Sequence, residues 1–249
     1  AIQDAGMTES SVDLSVVVPC YNEEENIGPL VRELVEVLTP LGKSFEILFV
    51  DDCSTDRTVA RVWEIRAEFP AVRLVRHTNN WGQSAAISTG FQMARGAILV
   101  TLDADLQNDP HDIPILLEYL SNADLVCGIR ARRKDPWIRR LSSRIGNAFR
   151  NLITGDSIVD AGCSLRVLKR EVVHELPRFN GLHRFLPTLA RFQGFRVLEV
   201  PVNHRPRQFG KSKYGIGNRL WRGILDCLAV RWFKYRLFSS ERTQKSHEE

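Results

Sequence analysis

Five short apolar runs, most of them rich in β-branched residues, alternate with helical patterns in the first half of this chain. The runs are LSVVVP (14–19), FEILFV (45–50), VRLV (72–75), AILVTL (97–102) and DLVCG (124–128). The helical patterns cover 26–38, 56–68, 83–94 and 111–121, with Asp56 as N-cap of the second and Pro110 just ahead of the fourth. Strands and helices alternating at these lengths predict an α/β fold, with a mainly parallel central sheet flanked by helices. Such sheets bind ligands outside the carboxyl ends of their strands. Polar residues collect there: Cys20–Glu25 after the first run, Asp51–Asp56 after the second and Asp103–Gln107 after the fourth. No G-x-G-x-x-G follows the first strand and no Walker motif is present, which argues against dinucleotide and P-loop chemistry.

The second half is less regular. Its pattern predicts a helix near 137–152, a strand near 163–168, a helix over 182–193, a strand at 196–202 and an amphipathic helix over 216–238. Residues 1–12 read as a disordered leader without the features of a secretory signal, and 239–249 as a frayed tail. Five cysteines, odd in number and without metal-like spacing, read as reduced buried thiols of a cytosolic protein.

Net charge is only +4, but it is unevenly spread. Residues 130–150 hold eight Lys/Arg against Asp135, and 205–238 hold nine against Asp226. Half of the 34 basic residues thus lie in under a quarter of the chain, which points to an anionic partner. A nucleic acid fits poorly, because the acidic strand ends would repel its backbone.

Those acids are the main puzzle. In extended geometry Asp103 and Asp105 face one point, and two hard oxygens beside a polyphosphate suit Mg²⁺ or Mn²⁺. Gln107 would add a carbonyl oxygen. The other reading is a turn closed by Asx hydrogen bonds.

Six stretches in order, VVVPCYNEEENI, ILFVDDCSTDRT, NNWGQSAAISTGFQMARG, LDADLQNDP, DAGCSLRVLKRE and RPRQFGKSKYG, change the odds. Together they resemble the polyprenyl-phosphate glycosyltransferases, the dolichyl-phosphate mannose synthase-like branch of glycosyltransferase family 2. The resemblance covers about residues 13–235. It implies a GT-A (Rossmann-like) catalytic domain over 13–215 that binds a nucleotide sugar at the strand ends. Pro19, Tyr21 and Glu23 match positions bordering base and ribose, and Asp52 the acid that contacts the base. Asp103, with Ala104 beside it, matches the ribose and metal position. Asp105 and Gln107 match the metal ligands. Arg130 and Arg144 match arginines reaching donor and acceptor phosphates. Arg207 and Lys213 match the acceptor-side loop, where Gly210 and Gly215 give freedom to close. Arg132, Arg133, Lys134, Arg139 and Arg140 read as solvated or membrane-facing surface, and Arg166 as a supporting residue.

The implied acceptor is a lipid phosphate. Its second pKa near 6 makes it a nucleophile at neutral pH without a general base. No side chain is placed as a covalent nucleophile, so a single in-line displacement with inversion is expected. GDP-mannose is the family's commonest donor, with UDP-linked hexoses the alternative. Polysaccharide synthases of this fold carry Q-x-x-R-W. Here LAVRW has Leu228 in place of the glutamine, and no Glu-Asp dipeptide supplies a base. A binding subunit without catalysis is disfavoured by the intact acid and arginine positions.

No apolar run approaches the ~20 residues of a membrane span. Membrane access is therefore expected from 216–238, where apolar residues at helical spacing are interleaved with Arg219, Arg222, Arg231, Lys234 and Arg236, or from a partner. A helix packed on the domain with a solvated basic face is the equal alternative. The expected location is cytoplasmic, peripheral at the membrane face.

Overall fold

A computed structural model describes residues 12–130, 137–174, 176–207 and 219–236. The expected tail lies outside them, as does the leader apart from Val12, whose carbonyl accepts the Ala97 N–H at 3.3 Å. Lys213, Gly210, Gly215, Arg132, Arg133 and Lys134 also lie outside, as do the side chains of Arg139, Arg140, Arg144, Arg219 and Arg222.

The strands are β1 (Leu14–Cys20), β2 (Phe45–Asp51), β3 (Val72–Arg76), β4 (Ile98–Thr101), β5 (Leu125–Arg130), β6 (Arg166–Lys169) and β7 (Val197–Val202). The α-helices are α1 (Ile27–Leu38), α2 (Thr58–Glu68), α3 (Gln83–Met93), α4 (Ile113–Tyr119), α5 (Trp137–Thr154), α6 (Glu171–His174), α7 (Leu182–Phe192) and α8 (Arg219–Arg236). One seven-stranded sheet runs in the order β3-β2-β1-β4-β6-β5-β7. It is parallel except at β6, which is antiparallel to both β4 and β5. The expected mainly parallel sheet is present, with boundaries within one to three residues of those read from the sequence.

Every residue of β1 is buried, as expected of a strand covered on both faces. Val16 and Val18 pack on one side with Leu30 and Leu34 of α1, and with Leu116 of α4. Val17 packs on the other, with Ile87 and Phe91 of α3 and with Leu186 of α7. This alternation is the two-residue period of the strand. Helix α3 lies close to β1 because Gly90 has no side chain. A Cβ there would stand 2.2 Å from Val17 Cγ1.

Asp56 is displaced from its expected place. The residue preceding α2 is Arg57, whose side chain makes no cap. The Asp56 carboxylate nevertheless accepts both the Thr58 N–H (2.9 Å) and its hydroxyl (2.5 Å), so it serves the helix start from one residue upstream. All five cysteines are free; four are buried, while Cys53 is only half-buried.

Candidate active site

Just past the carboxyl ends of β1, β2 and β4 stand, among the described residues, the non-glycine positions with left-handed backbone: Asn22 (φ 53°), Cys53 (φ 66°) and Leu106 (φ 60°). Leucine and cysteine adopt this conformation at a cost, and such strain clusters where a chain must present particular groups. The surrounding loops are fastened to one another. The Asn22 N–H donates to Ser54 Oγ (2.9 Å), and its side-chain oxygen accepts the Thr55 N–H (2.8 Å). The Glu23 N–H donates to Thr58 Oγ1 (2.7 Å), and the Arg57 N–H to Glu24 (2.9 Å). Tyr21 and Glu23 therefore stand on a platform shared by two strand ends.

Asp52 organises the third side. Its carboxylate accepts the N–H groups of Trp81 (2.9 Å) and Gly82 (2.6 Å), and His77 Nδ1 lies 2.8 Å away. The other ring nitrogen of His77 meets Thr89 Oγ1 of α3 at 2.9 Å. Gly82, at φ 87°, lets the chain turn into α3, and Gln83 then donates to Asp103 Oδ1 at 2.7 Å.

Strand β4 stops at Thr101, so Asp103 and Asp105 do not share a face by strand extension, as the sequence argument supposed. They sit in a turn bent by Leu106, with Asp105 Oδ1 accepting the Gln107 N–H at 3.2 Å. The Asx-turn reading is thus present as well. The turn still delivers both carboxylates to one cleft. Asp105 Oδ2 accepts Arg207 Nη2 at 2.5 Å. Asp103 opens partly onto the cleft, while its dense surroundings push its pKa up to about 6; the charge of Asp105 adds to the effect of burial.

The cleft holds about 290 Å³ and is lined by Pro19, Tyr21, Glu23, Asp52, Asp103, Ala104, Asp105 and Arg207, all expected from the sequence. Asn80, Gly82 and Gln83 line it too and were missed. The signal for them was present: they stand at the junction of the β3–α3 loop and α3, at the sheet edge where the alternation places every such loop. Gln107 is not among the lining residues; its carbonyl accepts the Arg205 N–H at 2.9 Å. Arg130 is not among them either. Its guanidinium makes a bidentate pair with Asp160, at 2.8 and 2.7 Å. Arg144 falls on α5. Arg166 is a supporting residue, donating to the carbonyls of His183 (2.7 Å) and Ala161 (3.2 Å).

Four carboxylates thus face one guanidinium among the lining residues. A diphosphate would be repelled from such a surface unless a cation came with it, and hard oxygen donors are what Mg²⁺ or Mn²⁺ takes. Asp103 and Asp105 fit that demand. A second cluster, Glu33, Asp109 and His111, has its ligand atoms within 4.8 Å of one another, but the Arg205 guanidinium bonds both acids and supplies the positive charge.

The family model for glycosyl transferase family 2 matches residues 15–177. The chain is also 38% identical over 229 residues to dodecaprenyl-phosphate galacturonate synthase of Rhizobium johnstonii, covering 90% of this chain and 68% of that one. The chain belongs to glycosyltransferase family 2. A second relative of this glycosyltransferase is the undecaprenyl-phosphate 4-deoxy-4-formamido-L-arabinose transferase of Edwardsiella ictaluri, 39% identical over 222 residues, covering 87% of this chain and 68% of the relative. Neither name carries mannose, so the expected mannose draws no support from them. Among solved structures, glucosyl-3-phosphoglycerate synthase of Mycobacterium tuberculosis aligns with a TM-score of 0.65 at 20% identity, over 92% of this chain and 82% of that one. A mannosyltransferase of Pyrobaculum calidifontis, in complex with GDP-Man and Mn²⁺, aligns at 0.62 and 21%, over 95% and 66%. These likenesses establish the GT-A fold of this glycosyltransferase.

Proposed function

We propose that this glycosyltransferase moves one sugar from a nucleotide diphosphate sugar to the phosphate of a polyprenyl phosphate, with inversion. The observation that carries the reading is the meeting of Asp103 and Asp105 with Arg207 in one cleft, in a chain 38–39% identical to relatives named for polyprenyl-phosphate products. Pro19, Tyr21, Glu23 and Asp52 border the base, and Asp103 and Ala104 the ribose. Asp103 and Asp105, with Gln107 after a small rearrangement, would hold Mg²⁺ or Mn²⁺. Bound there, the ion would neutralise the diphosphate and stabilise it as a leaving group.

The chain's own groups do the rest. Arg207 exchanges Asp105 for phosphate oxygens. Arg130, Arg144 and Lys213 hold the acceptor phosphate, whose charge makes a side-chain base unnecessary. The acceptor oxygen attacks the anomeric carbon, the bond to the diphosphate breaks, and configuration inverts.

Among the described residues no helix is long and apolar enough to cross a membrane. Helix α8 exposes Leu225, Leu228, Trp232 and Tyr235, with Arg231, Lys234 and Arg236 interleaved. This supports its lying on an anionic lipid surface, where a polyprenyl phosphate would be met. The sugars named for the two relatives make modified or oxidised sugars the first donors to try, ahead of mannose.

The test incubates the protein with UDP- and GDP-linked sugars, a short polyprenyl phosphate and Mn²⁺ or Mg²⁺, and reads the product by NMR. An α-linked donor should give a β-linked lipid phosphosugar. An α-linked product or a trapped glycosyl-enzyme would overturn the mechanism, and no lipid product with any donor would overturn the function.

A further inference from the structure

We infer that Arg205 is a positioning residue: gripped by Glu33 and Asp109, it fixes segment 203–207 against the loop after β4 and so sets where Arg207 stands in the cleft. This deepens the proposed function, because it rests on Asp105 and Arg207 serving the transfer.

The segment is held at three successive residues. The Asn203 N–H and side-chain amide both donate to Asp112, at 2.7 and 2.9 Å. His204 forms an antiparallel bridge with Asn108. The Arg205 N–H donates to the Gln107 carbonyl at 2.9 Å. Its guanidinium then reaches both oxygens of Glu33 on α1, at 3.0 and 2.6 Å, and Asp109 Oδ1 at 2.6 Å. Four of these five partners, Gln107, Asn108, Asp109 and Asp112, lie within seven residues of Asp105, and the fifth, Glu33, lies on α1. Segment and loop therefore move as one body, with α1 as the outside support.

The next residue transmits the placement. Pro206 has a locked φ and restricts the backbone of Arg205 before it. The step from the clamped Arg205 to Arg207 thus has few conformations, and Arg207 arrives at Asp105 Oδ2. Glu33 and Arg205 both retain some exposure, and such pairs stabilise a fold little. What a planar, bidentate guanidinium supplies better is direction.

The test makes Glu33→Gln and Pro206→Gly, each alone and combined with Arg207→Ala. Hydrogen exchange over 203–207, without substrate, should speed up in Glu33→Gln while the sheet strands stay protected. Transfer to polyprenyl phosphate should fall roughly tenfold in each single variant, as for a lost charge-assisted contact. It should fall no further when either change is added to Arg207→Ala, because residues acting through one another are not additive. Additive losses, or unchanged exchange in Glu33→Gln, would overturn the clamp whatever the activity. Wild-type protein that transfers nothing would overturn the proposed function alone.

Discussion

Acidification should destabilise this protein through His183, and the structure gives the size of the effect. His183 Nδ1 lies 2.6 Å from Ser84 Oγ, which also accepts the Gly181 N–H at 2.9 Å. The Gly181 N–H fills one acceptor site of the serine oxygen, which favours the arrangement in which the hydroxyl donates to an unprotonated Nδ1. Burial, and then the charges of Arg184 and Arg166, push the His183 pKa down to about 3 from 6.5. The unfolded chain takes up a proton below 6.5, while the folded chain does not until about 3. Stability is therefore unaffected above about pH 7 and is lost progressively as pH falls from 6.5 towards 3. At pH 5 the cost is about 2 kcal/mol, against almost none at pH 7. Part of the residue keeps contact with solvent, so these are upper values. For a chain of this length that corresponds to roughly 4–8 °C in Tm. His183→Gln keeps an acceptor for Ser84 and removes the titration. Calorimetry from pH 7.5 to 5 should show the wild-type Tm falling further than the variant's by about that amount, the other titrating groups cancelling in the difference. Parallel curves would refute the reasoning.

Asp105→Ala should remove metal-dependent turnover with the fold intact, and full wild-type activity in excess chelator would show that no cation is needed. Arg144→Ala or Lys213→Ala should weaken use of the lipid phosphate roughly ten- to a hundredfold, the worth of a charge-assisted hydrogen bond, and leave nucleotide affinity nearly unchanged in a calorimetric titration. Equal loss of nucleotide affinity would assign these residues to the donor side. Gly90→Ala should cost about 1–3 kcal/mol by driving a methyl into Val17, read as a lowered urea midpoint.

Most of the cleft was legible because it follows from strand ends. Pro19 ends β1's apolar run, and Tyr21 to Glu23, Asp52 and Asp103 to Asp105 stand just after parallel strands; an apolar run with its polar sequel marks such a place on sequence alone. What escaped was the wiring between loops. Asp52 was expected at the base, yet its carboxylate already binds the N–H groups of Trp81 and Gly82 and the ring of His77. Nothing in a linear pattern says which of several acids will fasten a neighbouring loop. Arg130 was read as a phosphate ligand, and Asp160, thirty residues on, takes its guanidinium. Exchanging that pair for a phosphate is the rearrangement the proposed function requires of it.

The pairing with Asp160 follows from the one strand that breaks the parallel pattern. Because β6 runs antiparallel between β4 and β5, its amino end lies at the edge where its neighbours have their carboxyl ends. The loop before β6 therefore joins the site from below: Asp160 meets Arg130, Ser164 Oγ donates to Asn108 at 2.7 Å, and the Ser164 carbonyl accepts the Thr101 hydroxyl at 2.7 Å. Strand β7, parallel again, ends at Val202 and releases 203–207 at that same edge, where Arg207 reaches Asp105. The reversed strand thus brings Asp160 to Arg130, and the parallel β7 carries Arg207 of the second half onto Asp105 of the first. The alternation of the first half alone could not have shown that juxtaposition, and the proposed opposition of two anionic substrates rests on it.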